Sequence, residues 1–153
     1  MTLDDLDSKV IRHLMQNGRM TWAELATVLQ LSAPAAGDRV RRLEERGVIL
    51  GYTARVNPEA AGCHLTAFIA VTLERPEHRA PFLEKVLQLA EVQECHHIAG
   101  EDDYWLKVRC QHTKALERLV SDELKSLPGL LRTRTTIVLS TVKETSVLPI
   151  RAE

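Results

Sequence analysis

Apolar positions in the first fifty residues recur at helical spacing. Leu6, Val10, Ile11, Leu14 and Met15 define one stripe and predict a helix over about Leu3 to Asn17, ended by Gly18. An aspartate from the run Asp4, Asp5, Asp7 can start it, because acidic groups favour the positive end of a helix. Thr21 followed by Glu24 is the signature of a capping box, and Leu25, Val28 and Leu29 supply the stripe of the helix it opens. The break falls at Leu31-Ser32. Ser32 can cap the next helix, with Pro34 in its first turn where a missing N–H costs little. Ala36, Val40 and Leu43 then recur at i, i+4 and i+7, so Pro34, Asp38, Arg41, Arg42 and Glu45 point away from the core. Trp22 is expected to pack between helices.

From Val48 to Val56 the chain reads as a short strand pair or wing, which Asn57-Pro58 breaks. The pattern then changes. His64 to Leu73 is apolar and β-branched and predicts a strand. Pro76 and Pro81 bracket the start of a helix carrying Phe82, Leu83, Val86, Leu87 and Ala90. Strands follow at Val92 to Ala99 and Asp103 to Cys110, joined tightly through Gly100-Glu101-Asp102. A helix over Lys114 to Leu127 carries Leu116, Leu119, Val120, Leu124 and Leu127; Pro128-Gly129 ends it, and Leu130 to Thr141 is a fourth strand. The order β-α-β-β-α-β is the split βαβ arrangement of ferredoxin-like folds. The fold class is therefore α+β: a winged helix-turn-helix over residues 1–58, a linker at 59–63 and a ferredoxin-like domain over 64–153. Two helices cover one sheet face, and a second subunit can bury the other.

A capped helix, a tight break and a second helix with small residues early and arginines later suit the major groove of double-stranded DNA, with the helix start meeting bases and arginines holding phosphates. The candidate DNA-binding residues are Thr21, Ser32, Pro34, Asp38, Arg39, Arg41 and Arg42. The same two helices would also serve as a plain αα-hairpin with a solvated basic face.

Composition narrows the setting. The chain has 153 residues, 44% hydrophobic and 27% charged, in the range of soluble globular proteins. No apolar run approaches the roughly 20 residues of a membrane span, and the acidic start MTLDDLDSKV has no signal-type apolar core, so a cytoplasmic setting is expected. Cys63, Cys95 and Cys110 form no CxxC pair and read as reduced thiols. Net charge is −1; residues 1–58 hold 8 basic and 7 acidic side chains (+1) and the remainder 12 and 14 (−2). There is no broad positive field, so DNA affinity must come from placed arginines and from several copies acting together, which predicts an oligomer.

The whole chain resembles the Lrp/AsnC family of leucine-responsive, or feast/famine, transcriptional regulators. The resemblance rests on Leu6-Asp7, Glu24-Leu25-Ala26, Leu31-Ser32, Arg39 to Glu44, Gly47-Val48-Ile49 and Gly51-Tyr52, then on Gly100 and Asp103, Leu106-Lys107-Val108 and Arg132 to Thr136. It implies a homodimer built through the C-terminal sheets, often assembled further into octamers, and a small-molecule effector, an amino acid or relative, bound in the C-terminal domain near the subunit contacts. The sequence departs from the usual pattern in three places. Residues 32–37 leave few side chains able to read bases, and Gly37 costs the recognition helix about 1 kcal/mol relative to alanine. Asp38 would repel phosphate unless it accepts from a cytosine amino group or pairs with Arg41 or Arg42. Glu101-Asp102-Asp103 is also more acidic than usual for the family.

The turn Gly100-Glu101-Asp102-Asp103-Tyr104 is the candidate effector site, with Thr135 or Thr136 lining the same pocket. Glycine permits close approach, Asp103 can pair with an ammonium group, and turn N–H groups can hold a carboxylate. A plain hairpin turn has the same composition. Cys95 and His97 share a strand face, but no matching pair stands at zinc spacing, so neither metal nor cofactor is expected. A small enzyme using His97, Glu101 and Asp103, or an assembly module without a DNA role, are the alternatives; no nucleophile–base set supports the first and the arginines oppose the second.

Overall fold

A computed structural model describes residues 3–150. The chain divides into two compact units: one holds the residues up to Arg55 together with those from Lys143 onward, the other Val56–Val142. The division falls three residues before the expected boundary at Pro58, and the tail belongs to the N-terminal unit rather than to residues 64–153.

The N-terminal unit is built from α1 (Asp5–Gln16), α2 (Trp22–Leu29) and α3 (Ala33–Glu45). Each start is fixed by a side chain. Asp4 accepts from the Asp7 N–H, Thr21 from the Glu24 N–H, and Ser32 from the Ala35 N–H. The Thr21–Glu24 capping box is complete, since Glu24 returns a carboxylate to the Thr21 N–H at 2.7 Å. Such a cap is worth about 1 kcal/mol. Gln30 closes α2 in the left-handed region, φ 56°, and makes the sharp turn into α3. Val10, Ile11, Leu14, Leu25, Ala26, Leu29, Ala36, Val40 and Leu43 form one core. Val28, expected in that core, is exposed, and Trp22 is half-exposed with its indole ring against Gly37 of α3. From the tail, Ile150 packs on this core and the Leu148 N–H meets the Met15 sulfur at 3.4 Å.

The expected wing is not a strand pair. Residues 50–56 form no sheet ladder; Leu50 is 94% exposed, and Tyr52 instead donates to Glu44 at 2.8 Å. Strand alternation at Leu50, Tyr52, Ala54 and Val56 lacks any partner strand here, and an unpaired ribbon cannot satisfy its backbone.

The second unit carries β1 (Leu65–Leu73), α4 (Arg79–Gln88, entered through a 3₁₀ turn at Pro76–His78), β2 (Val92–His97), β3 (Tyr104–Cys110), α5 (Thr113–Arg118) and β4 (Leu130–Ile137). α5 runs on as a π turn over Leu119–Leu124, where the Lys125 N–H bonds to the Val120 carbonyl. An i→i+5 closure places Leu119 and Leu124, both buried, on one face. The strand order is β2-β3-β1-β4, antiparallel throughout, which is the ferredoxin-like sheet. Strand ends are shorter than expected, by four residues at β4 and two at β2.

Alternation sorts the sheet into two faces. Ala67, Ile69 and Val71 of β1 and Tyr104, Leu106, Val108 and Cys110 of β3 face the helices and join Phe82, Val86, Leu116, Leu119 and Leu124 in the core. Helices α4 and α5 pack by β2 and β3, so Thr135 and Ile137, on the same face of β4, stay exposed. The opposite face carries Phe68, Ala70 and Thr72, with Trp105, Lys107, Arg132, Arg134 and Thr136 in register beside them.

Gly129, at the turn into β4, has φ +74°, and a Cβ there would overlap the His78 ring. Gly129→Ala therefore combines about 1–2 kcal/mol of left-handed strain with displacement of His78. At roughly 4–8 °C per kcal/mol for a unit of this size, calorimetry should show its melting temperature lowered by about 5–15 °C. An unchanged melting temperature would mean that the 128–130 turn relaxes freely.

Candidate DNA-binding helix and effector turn

On the N-terminal unit the candidate DNA-binding side chains separate into committed and free groups. Thr21 and Ser32 are exposed, but their hydroxyls are taken by helix caps. Pro34, Ala35 and Asp38 stand exposed on the first turns of α3. Arg41 reaches Asp38 at 2.8 Å, and both are well exposed. Arg42 is exposed and makes no side-chain hydrogen bond or ion pair among the described residues. Arg39 departs from expectation. Its guanidinium points inward, 2.7 Å from Asp4 and 2.6 Å from the buried Asp7, and ties α3 to the start of α1. The Asp7 N–H first, and then Arg39, hold the Asp4 carboxyl below its ordinary range. Asp4 in turn leads the groups that raise the Arg39 guanidinium further. Arg46 approaches the second Asp7 oxygen at 3.4 Å. Sequence spacing puts Arg39 at an intermediate angle on α3; only the packing of α1 shows where it goes.

On the second unit the β2–β3 turn closes with the Ile98 N–H on the Asp103 carbonyl, 2.9 Å. Gly100 is exposed with nothing within 4 Å of an added Cβ, so nothing in the fold itself demands glycine there. Glu101 is exposed, 3.9 Å from Arg134. The two aspartates have different tasks. Asp103 fastens the turn to β1: its carboxylate accepts from the Leu73 N–H at 2.7 Å and its own N–H bonds to the Val71 carbonyl at 2.9 Å. Asp102 is buried, and its carboxylate accepts from the Thr72 hydroxyl (3.0 Å), Arg132 (3.2 Å) and Arg134 (2.6 Å). Burial opposes its charge, but the Thr72 hydroxyl and the two guanidiniums prevail and hold its pKa below the ordinary 3.8.

The other expected effector residues do not share one surface. Tyr104 turns to the helix side, between Phe82 at 4.9 Å and His97 at 5.0 Å, and its buried hydroxyl has no hydrogen-bond partner. Thr135 also lies on that side, at the exposed end of β4. Thr136 lies on the open face, where it lines a shallow depression with Phe68, Ala70, Trp105 and Arg134. Phe68 and Trp105 were not singled out from sequence. Their rings lie 6.3 Å apart, and the alternation of β1 and β3 around them was the available signal. Among the described residues no cluster of three or more metal-ligating side chains is present, and no helix is long and apolar enough to cross a membrane.

Residues 3–44 match the AsnC-type helix-turn-helix domain and residues 66–148 the Lrp/AsnC ligand binding domain. The chain belongs to the Lrp/AsnC family of transcriptional regulators. It is 44% identical over 139 residues to the HTH-type transcriptional regulator LrpA of Mycobacterium tuberculosis, covering 91% of each chain. It is 38% identical over 151 residues to the leucine-responsive regulatory protein of Escherichia coli, covering 97% of this chain and 92% of that one. Among solved structures, a transcriptional regulator of Neisseria meningitidis in complex with L-methionine superposes with a TM-score of 0.93 at 34% identity, covering 97% of each chain. A feast or famine regulatory protein of M. tuberculosis complexed with L-methionine gives 0.87 at 42% identity, covering 98% of this chain and all of that one. These Lrp/AsnC relatives are transcriptional regulators rather than enzymes, so the enzyme alternative falls. The chain is a DNA-binding regulator of the Lrp/AsnC type.

Proposed function

We propose that this regulator reads double-stranded DNA with α3 and responds to an amino acid bound at the β2–β3 turn. The observation that carries the first half is the outward face of α3. Pro34 and Ala35 leave its capped start open to base edges, while Arg41 and Arg42 project from the same side toward phosphate. With so few side chains of reading length near that start, DNA shape and deformability supply much of the specificity. The second half is supported by two relatives that hold L-methionine and by the exposed backbone at Gly100. L-methionine is the first effector to test.

The working unit is a homodimer, with octamers as a further assembly, operating in the cytoplasm. Phe68 and Trp105 stand partly exposed on the sheet face opposite α4 and α5, and a second copy of the chain is the partner that would bury them. Since effector and DNA bind in different units, the effector acts by favouring one arrangement of subunits over another. Coupling of about 1–3 kcal/mol corresponds to roughly 5- to 150-fold in DNA affinity.

Calorimetric titration with L-methionine, paired with DNA binding in its presence and absence, tests this reading. Binding together with a change in DNA affinity supports it; no binding by any amino acid overturns the effector half. In Asp103→Ala the Leu73 N–H loses its acceptor, and the melting temperature should fall. Asp103 belongs to the effector site only if the variant also loses its ligand response. A response that survives the lowered melting temperature would make Asp103 a turn-shaping residue alone.

A further inference from the structure

We propose that Asp102 is the positioning residue through which the β2–β3 turn acts on the open face of the sheet. The inference rests on the reading above that the turn takes the effector, but its central observation is independent of any ligand.

β4 is two strands away from β3, with β1 between them, so no backbone ladder joins the turn to β4. The Asp102 side chain makes that connection. It leaves the turn, passes the Thr72 hydroxyl at the end of β1, and meets Arg132 and Arg134 on β4 at 3.2 and 2.6 Å. The carboxylate is 3% exposed, whereas both guanidiniums are about half-exposed, at 53% and 54%. Arg134 also lines the depression with Phe68, Ala70, Trp105 and Thr136. One end of the connection is therefore a buried charge in the turn, and the other is the surface of the open face.

A buried carboxylate cannot leave two guanidiniums without a large loss, so the three groups shift together or not at all. Asp103, the next residue, is tied to the β1 backbone alone. Of the two adjacent aspartates, only Asp102 reaches past β1, by way of the Thr72 hydroxyl, to β4. A ligand that pulls on the turn backbone at Gly100 moves Asp102, and with it the guanidiniums on the open face.

Hydrogen exchange on the full-length protein, without ligand, tests the connection. In Asp102→Asn the amides of residues 98–103 and those of residues 132–136 should both exchange about 10-fold faster, while the β1–β3 ladder keeps its protection. In Arg134→Gln, a change on the exposed side, the amides of 98–103 should respond in turn. The effect in the double variant should be smaller than the sum of the two single effects, as for partners in one interaction. Loosening confined to 98–103 in the first variant, or no response of the turn in the second, overturns the proposal. If Asp102→Asn does not fold, Arg134→Gln alone still decides it. Titration of the wild-type protein with L-methionine is run alongside: failure to bind counts against the effector reading and leaves the exchange result standing.

Discussion

Replacing Arg41 and Arg42 together with alanine should lower the salt slope of DNA binding by about 1–2 units, because each phosphate contact contributes about 0.9. Affinity should fall for a duplex from the protein's own promoter and for unrelated duplexes alike, as expected when phosphate contacts are lost. The Arg41–Asp38 pair does not prevent this role. Both partners are more than half exposed, and such pairs are worth only about 0–1 kcal/mol. Phosphate can therefore take Arg41 from Asp38 at small cost. Arg39 provides the contrast. Its guanidinium is held by Asp4 and by the buried Asp7, so Arg39→Ala should lower the melting temperature of the N-terminal unit while the salt slope changes little. An unchanged slope in the Arg41/Arg42 double variant, or a full unit of slope lost in Arg39→Ala, would reverse the assignment.

Trp105→Glu should convert the proposed dimer to a monomer at micromolar concentration, as read by light scattering. Trp105 is 47% exposed on the open face, with Phe68 beside it. Burying an unpaired carboxylate there costs several kcal/mol, and every 1.4 kcal/mol is tenfold in dissociation constant. The monomer should remain folded, because the core on the helix side of β3 is built from Tyr104, Leu106, Val108 and Cys110 instead. A wild-type protein that is monomeric at micromolar concentration, or a variant that dimerises as well as wild type, would rule out this face as the interface.

The elements themselves were written locally. Caps at Asp4, Thr21 and Ser32, stripes at Val10-Ile11-Leu14 and Ala36-Val40-Leu43, and the β-α-β-β-α-β order all follow from residues three or four apart or from strand alternation, and the structure has them. Alternation also settled which side of β4 Thr136 and Arg134 share, opposite Thr135. Local pattern failed where a partner from far along the chain decides the outcome. Residues 48–56 alternate like a strand but have no neighbour to pair with, so they form none. Val28 sits at core spacing on α2, yet no apolar surface covers it and it stays exposed.

The site shows the same divide. The family, the helix that carries Arg41 and Arg42, and the acidic turn at 100–103 are legible along the chain, because residue type and spacing record them. The tasks of the charges are set by packing in three dimensions. Arg39 is spent on Asp7 32 residues away, and Asp102 on Arg132 and Arg134 30 and 32 residues away. Asp103, its neighbour in sequence, serves a backbone N–H of β1 instead. An ion pair depends on distance and burial in three dimensions, and neither has a period along the chain.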